Sequence, residues 1–510
     1  MATQDQVQLI AYADRLGGDL RGLAGFLRRE EVAGAFGGVH VLPFYTPFDG
    51  ADAGFDPIDH TAVDPRLGTW DDVRELARTH DVMVDLIVNH VSADSAAFLD
   101  VVARGDASPW APMFLTMSSV FPDGAREEEL ARIYRPRPGL PFTAIRLGDR
   151  LRYVWTTFTP QQIDVDVTSE LGREYLTSIL DAAAGAGVRL VRLDAVGYAV
   201  KTPGTTCFMT PETFDFIADF AAQARERGVD LLVEVHSYYR RQVEIAREVD
   251  LVYDFALPPL VLHALYTGDG TALVDWLRER PRNAVTVLDT HDGIGVIDVG
   301  PDQTVAPGEA ERPGLLTPEQ IDALVEGIHE RTGGASARAT GAAASNLDLY
   351  QVNSTFYDAL GRDDARYLAA RSIQLFTPGI AQVYYVGLLA GQNDVELLER
   401  TGVGRDVNRH HYTTAEVDAA LATPLVQRLL ALCRFRSTFP AFDGDVDTAL
   451  DGSRLTMERR GAEVPDAVAR LEVDLASGAG SLHWSDGAAP ETVVDLAGFV
   501  PEDVVVPVRR

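Results

Sequence analysis

The chain has 510 residues, 46% of them hydrophobic and 24% charged, the balance of a folded globular protein long enough to bury a large core without disulfide staples. At roughly 150 residues per domain the length suggests about three units, or one barrel of about 250 residues with additions. Seventy-six acidic against 45 basic side chains leave a net charge of −31, a field that repels phosphate backbones and anionic lipid, so neither nucleic acid nor membrane is expected as a partner. Cys207 and Cys433 are too few for a disulfide framework and fit two buried thiols in a reducing compartment. The N-terminus MATQDQ is polar and no apolar run approaches about 18 residues, so a soluble, cytoplasmic protein is expected.

Short apolar runs alternate with helix-like stretches. Candidate strands begin at Val7–Ala11, Val39–Phe44, Val82–Val88, Val188–Leu193, Leu231–Val235, Leu251–Phe255, Ala284–Leu288 and Gln382–Val386, eight runs, the number a closed parallel barrel needs. Ser169 opens a helix with Leu171, Tyr175 and Ile179 on one face. Thr210-Pro211-Glu212 opens another, and Thr317-Pro318-Glu319-Gln320 a third. About 100 residues part the third run from the fourth and about 93 part the seventh from the eighth, far beyond normal barrel loops. After about residue 441 the period changes to two, with Ala469, Leu471, Val473 and Leu475 alternating with Arg470, Glu472 and Asp474. The expected fold is α/β: a (β/α)8 TIM barrel from 1–87, 169–293 and 362–441, inserted subdomains at 88–168 and 294–361, and a small C-terminal β domain at 442–510.

The ends of parallel barrel strands line an active face. Period two puts Arg192 and Asp194 on one side of their strand, where the guanidinium would keep the carboxylate ionised and fit to act as a nucleophile. Glu234 sits among apolar neighbours in Leu231–Val235, which would raise its pKa and suit it to general acid work. Asp292 follows the seventh run. One acid after one strand is an ordinary cap or ion-pair partner; three acids, with Arg192, His90 and His291 in equivalent places, point instead to a retaining glycosidase-type site.

Four ordered segments, Asp85–His90, Val191–Tyr198, Leu232–His236 and Val287–Asp292, resemble the signature regions of the alpha-amylase superfamily. From near residue 7 to about 440 the chain closely resembles the sucrose phosphorylase family, through Leu42–Phe55, Tyr134–Phe142, Ala344–Asn353 and Gly404–Arg409. The resemblance implies a glycosyltransferase without cofactor or metal, working by retaining double displacement on sucrose, inorganic phosphate, fructose and glucose 1-phosphate, and a homodimer. Asp194 would take the glucosyl unit, Glu234 would protonate the departing fructose, and Asp292 would steady the oxocarbenium-like transition state. Asp52, His90, Arg192, His291 and Arg405 would hold glucosyl hydroxyls, with Phe55, Phe158 and Tyr198 as apolar walls. Asp348, Leu349, Tyr350 and Gln351 would form an acceptor loop serving fructose and then phosphate.

A phosphorylase must hold phosphate in line and keep water out. With a net charge of −31 this needs a local cationic pocket, for which Arg137 is the leading candidate and Arg405 a possible neighbour. The resemblance implies extra cationic groups around the acceptor loops in relatives that act on sucrose 6'-phosphate; Pro136 offers none, which favours sucrose. Glucosylglycerol, glucosylglycerate and plain hydrolysis stay open as alternatives. Asn89 stands where amylases use an asparagine for calcium, but no acidic calcium-type loop accompanies it.

Overall fold

The computed structural model describes residues 6–50, 52–135, 139–302, 312–343, 351–487 and 491–498. All eight expected runs become strands of one closed parallel barrel: β1 (Val7–Ala11), β2 (Gly38–Val41), β3 (Asp81–Ile87), β4 (Leu190–Asp194), β5 (Asp230–Val233), β6 (Leu251–Asp254), β7 (Ala284–Thr286) and β8 (Ile380–Tyr384). They close in the order β1-β8-β7-β6-β5-β4-β3-β2. Strands covered on both faces must be apolar throughout, and β1 and β8 are buried at every position. Several boundaries shift by a few residues. Leu42 and Phe44 are buried without being strand, and Tyr385–Leu388 is a helical turn at the end of β8.

The barrel interior carries polar layers that are internally bonded. Gln382 donates to Gln8 at 2.9 Å and accepts from the Tyr253 hydroxyl at 3.1 Å, which satisfies groups that burial would otherwise penalise. Gln382 also touches the Met83 sulfur at 3.5 Å. Two residues along β3, on the same face, Asp85 begins the next layer with His40 of β2 and Arg192 of β4.

The capping signals place the helices as the sequence implies. Ser169 accepts from the Gly172 amide ahead of Glu170–Gly185, Thr210 from Thr213 ahead of Pro211–Glu226, and Thr317 with Gln320 boxes Pro318–Arg331. The long stretch after β3 has small cores of its own. One gathers Val91, Phe98, Phe114, Val154 and Ile163; another gathers Leu115, Phe121, Ile133 and Trp155. In the second long stretch, Ile294–Gly295 pairs antiparallel with Gln351–Val352, tying that segment to the loop that carries Asp292.

Five antiparallel strands end the described chain: β9 (Val446–Asp451), β10 (Arg454–Arg460), β11 (Val468–Asp474), β12 (Gly480–Ser485) and β13 (Thr492–Asp495). Ala469, Leu471 and Val473 face inward and Arg470 and Glu472 outward, the alternation read from sequence. Buried Arg459 donates to the Phe376 carbonyl at 3.1 Å and joins this sheet to helix Asp364–Phe376. Both cysteines are free and buried. Among the described residues no helix is long and apolar enough to cross a membrane.

Candidate active site

Arg192 is the hub. Its Nη1 donates to Asp85 at 2.5 Å and to Asp194 at 2.8 Å, and its Nη2 lies 3.5 Å from Glu234. The register explains the first contact, because Arg192 and Asp85 are paired positions of adjacent strands. Two residues on from Arg192, Asp194 shares its face. Ala195 then turns into the left-handed region at φ 52°, a conformation uncommon for a residue with a Cβ, and its amide donates to Glu234 at 3.0 Å. The side chains of Asp194, Glu234 and Asp292 are 13%, 13% and 12% exposed, each largely buried beside an arginine.

Each carboxyl is tuned by its neighbours. For Asp85 burial opposes charge, but His40 at 3.0 Å and Arg192 outweigh it and hold the group at about 2. For Asp292 burial is again overcome, first by Arg405 at 2.9 Å, with Arg409 at 3.7 Å among the groups that help it, and the group lies well below the usual carboxylate range. Burial pushes Asp194 above the ordinary value, with Glu234, Asp85 and Asp292 acting in the same sense, while Arg192, the guanidinium expected beside it, stands 2.8 Å away and opposes them. The guanidinium is divided among Asp85, Asp194 and Glu234, so Asp194 receives only a share of its field.

The remaining described candidates surround this cluster. Arg405 bridges Asp292 and Asp52, lying 3.9 Å from the latter, while Gln162 donates to Asp52 at 3.3 Å. His291 stacks on Phe55 at 4.8 Å between ring centres, and burial lowers its pKa to about 3, so it is neutral. His90 bonds through Nε2 to the Phe55 carbonyl at 2.9 Å, and burial lowers its pKa too. Phe158 packs edge-on against His90 and Tyr198 at 5.5 and 5.2 Å. Gln351 accepts from the Gly293 amide at 3.3 Å. Arg137, Asp348, Leu349 and Tyr350 lie outside the described residues, as does Pro136.

Several contributors were not singled out from sequence. His40 and Asp85 sit beneath Arg192, and Asp85 was visible only as part of a motif. Arg409 donates to the His291 carbonyl at 2.8 Å, and Asn408 to the Thr290 carbonyl at 2.8 Å, fixing the loop that bears Asp292. Tyr134 and Phe208 extend the aromatic wall from Tyr198, with centroids 6.2 and 4.7 Å away. Asn89 also acquires a partner that its motif did not disclose. The buried Lys201 ammonium stands 3.0 Å from Asn89 Oδ1, 2.8 Å from Asp164 and 3.2 Å from Thr157, and also bonds the Tyr198 carbonyl. A positive charge supplied by the chain thus occupies this oxygen cage. Among the described residues no group of three or more His, Cys, Asp or Glu side chains is disposed to hold a metal ion.

The alpha-amylase catalytic-domain family matches residues 4–259. A sucrose phosphorylase of Bifidobacterium adolescentis is 55% identical over 506 residues, 98% of this chain and 99% of that protein. One from Agrobacterium vitis is 60% identical over 454 residues, 88% of this chain and 91% of that protein. The crystal structure of sucrose 6F-phosphate phosphorylase from Thermoanaerobacter thermosaccharolyticum superposes with a TM-score of 0.87 at 36% identity, covering 97% of this chain and 98% of that one.

Proposed function

Since the chain belongs to the alpha-amylase family, we propose that it catalyses the reversible phosphorolysis of sucrose to α-glucose 1-phosphate and fructose. It is a glycosyltransferase that works by retaining double displacement. The observation that carries the site assignment is one guanidinium, Arg192, reaching both Asp194 and Glu234 at the end of a barrel.

In the productive complex the charge rests on Asp194 and the proton on Glu234, and the 2.8 Å bond from Arg192 favours charge at Asp194. Asp194 attacks the anomeric carbon as Glu234 protonates the glycosidic oxygen of fructose. Asp292, held ionised by Arg405, faces the positive charge that develops on the ring and stabilises it. Fructose leaves, phosphate takes its place, and Glu234 accepts the phosphate proton while phosphate attacks from the side fructose vacated. The anomeric configuration is inverted twice and so retained. Asp52, Arg405, His90 and His291 hold the glucosyl hydroxyls against the Phe55, Phe158 and Tyr198 walls. The neutral state of His291 lets it both donate and accept there.

Phosphate is taken to be gripped by Arg137, with Asp348, Leu349, Tyr350 and Gln351 forming the acceptor loop. Of these, Gln351 has support in its bond to Gly293, beside Asp292. Arg405 is engaged with Asp292 and Asp52 and belongs to the donor side. We also propose a cytoplasmic homodimer, with the barrel, the two insertions and the C-terminal sheet divided as the sequence implies. The buried free thiols fit a reducing compartment.

Incubation of the protein with sucrose, with and without inorganic phosphate, tests the reading. Glucose 1-phosphate and fructose in equal amounts, dependent on phosphate, are the expected products. Free glucose at the same rate in both arms would make it a hydrolase. No turnover of sucrose alongside turnover of sucrose 6'-phosphate would move it to the activity of the crystallised relative.

A further inference from the structure

One buried strip beside the site takes no part in the steps above. Asp298, in the short turn Ile297–Val299 of the second insertion, is fully buried. A carboxylate in that position is costly unless it is bonded on every side. Its Oδ2 meets His236 Nδ1 at 2.9 Å, while its Oδ1 accepts from the Ser237 amide at 3.1 Å and from Gln242 at 2.7 Å. All three donors come from the segment that directly follows Glu234.

The imidazole between them has one orientation. It stacks on Phe255 with centroids 3.8 Å apart and planes within 12°. With Nδ1 bound to Asp298, Nε2 turns to the active site, 3.9 Å from Glu234 Oε1 and 3.3 Å from the Gln351 amide. The contact leaves room for nothing else. A Cβ at Gly295 would lie 2.6 Å from Asp298 Oδ2 and 3.3 Å from His236 Nδ1, and this same strand pairs with Gln351. The charged groups facing His236 include Asp298 from the insertion, Glu234 from the end of β5 and Asp292 from the loop after β7. Burial opposes a second proton on the ring, but Asp298 first and Glu234 after it raise the His236 pKa above the usual imidazole value.

We propose that Asp298 is a positioning residue for the acid–base step: acting through His236, it holds the imidazole with Nε2 toward Glu234 and so sets how readily Glu234 gives and retakes its proton. The inference rests on the reading of Glu234 as the acid of this site. When Glu234 delivers its proton to the leaving oxygen, the carboxylate left behind faces an imidazole whose far side is already neutralised. When phosphate enters, the same contact sets the basicity with which Glu234 takes the proton back.

The test is Asp298→Asn, assayed with sucrose and with α-glucosyl fluoride, whose leaving group needs little protonation. The expected result is a fall in kcat of about tenfold or more on sucrose, a fraction of what a full general acid supplies, against little change on the fluoride. The limb of the pH–rate profile that reports the acid should move as well. His236→Gln should give the same donor split, and the double variant should be no worse than the poorer single, because one residue acts through the other. Equal losses on both donors with an unmoved pH profile, or full additivity in the double variant, would overturn the proposal. If Asp298→Asn does not fold, Gln242→Leu, which removes one donor from Asp298 and leaves the His236 bond, should show a smaller split of the same sense; equal losses there overturn it too. Wild-type protein that used the fluoride but not sucrose would instead defeat the functional reading, and the split would then be read on α-glucosides with good and poor leaving groups.

Discussion

On the donor side of the pocket, His40, Asp85, Arg192 and Asp194 stand on three adjacent barrel strands and are locked together by contacts of 3.0, 2.5 and 2.8 Å. On the proposed acceptor side, Gln351 and Asp298 come from an insertion, Gln351 in a two-residue strand pairing and Asp298 bonded to the segment that follows β5. The contrast has a physical basis. Glucosyl transfer requires the nucleophile and the transition-state stabiliser to be fixed before the sugar arrives, and strand ends supply that rigidity. Acceptor choice, fructose in one half-reaction and phosphate in the other, requires a surface that serves two unlike molecules, and a loop-borne wall suits that task.

Substitutions should therefore sort by side. The largest effect belongs to Asp194→Ala, which should lower phosphorolysis and hydrolysis alike by about 10⁴-fold or more, measured as product release from sucrose with and without phosphate. Near-normal turnover would remove Asp194 as the nucleophile and the donor side with it. Glu234→Gln should cost about 10²–10⁴-fold on sucrose. It should spare glucosylation by α-glucosyl fluoride, followed as rapid fluoride release. Equal losses would mean that Glu234 is not the acid. Arg137→Ala belongs to the acceptor side and should leave glucosylation intact while lowering the ratio of phosphorolysis to hydrolysis by about tenfold, the size of one lost charge-assisted hydrogen bond. An unchanged ratio would place the phosphate elsewhere.

The smallest effect concerns stability. The Asp85 carboxyl is held at about 2 in the fold, below its ordinary value of 3.8. A depressed folded pKa stabilises above the unfolded value, and the contribution is lost as pH falls from about 4 through about 2. This amounts to about 2 kcal/mol. Thermal melts of wild type should therefore fall across that window, and those of Asp85→Asn should fall less steeply, from a lower starting point at neutral pH. Parallel curves would show that the Asp85 cluster is not what acid disrupts.

Much of this molecule could be read before its coordinates. Eight strands, three helix starts and the alternation of β11 follow from local pattern, because strand period, caps and burial are properties of neighbouring residues. Asp194 and Glu234 were legible for a related reason, each standing at a strand end; Asp292 lies further on, in the loop after β7. The division of Arg192 among three carboxylates was not legible, because it depends on barrel closure bringing β3, β4 and β5 side by side. His236 and Asp298 are 62 residues apart, and nothing local announces their bond. Val386 looked like strand because it is apolar and buried, whereas it lies in the helical turn Tyr385–Leu388.

The Lys201 ammonium, seated among the oxygens of Asn89, Thr157, Asp164 and the Tyr198 carbonyl, carries a consequence for assembly. It pins the end of β3, the first insertion and the turn after β4 to a single point. Because the pin is covalently part of the polypeptide, it arrives at one equivalent with every copy synthesised and cannot be leached by a chelator. The junction forms when the backbone around residue 201 folds, with no dependence on a supply of ions.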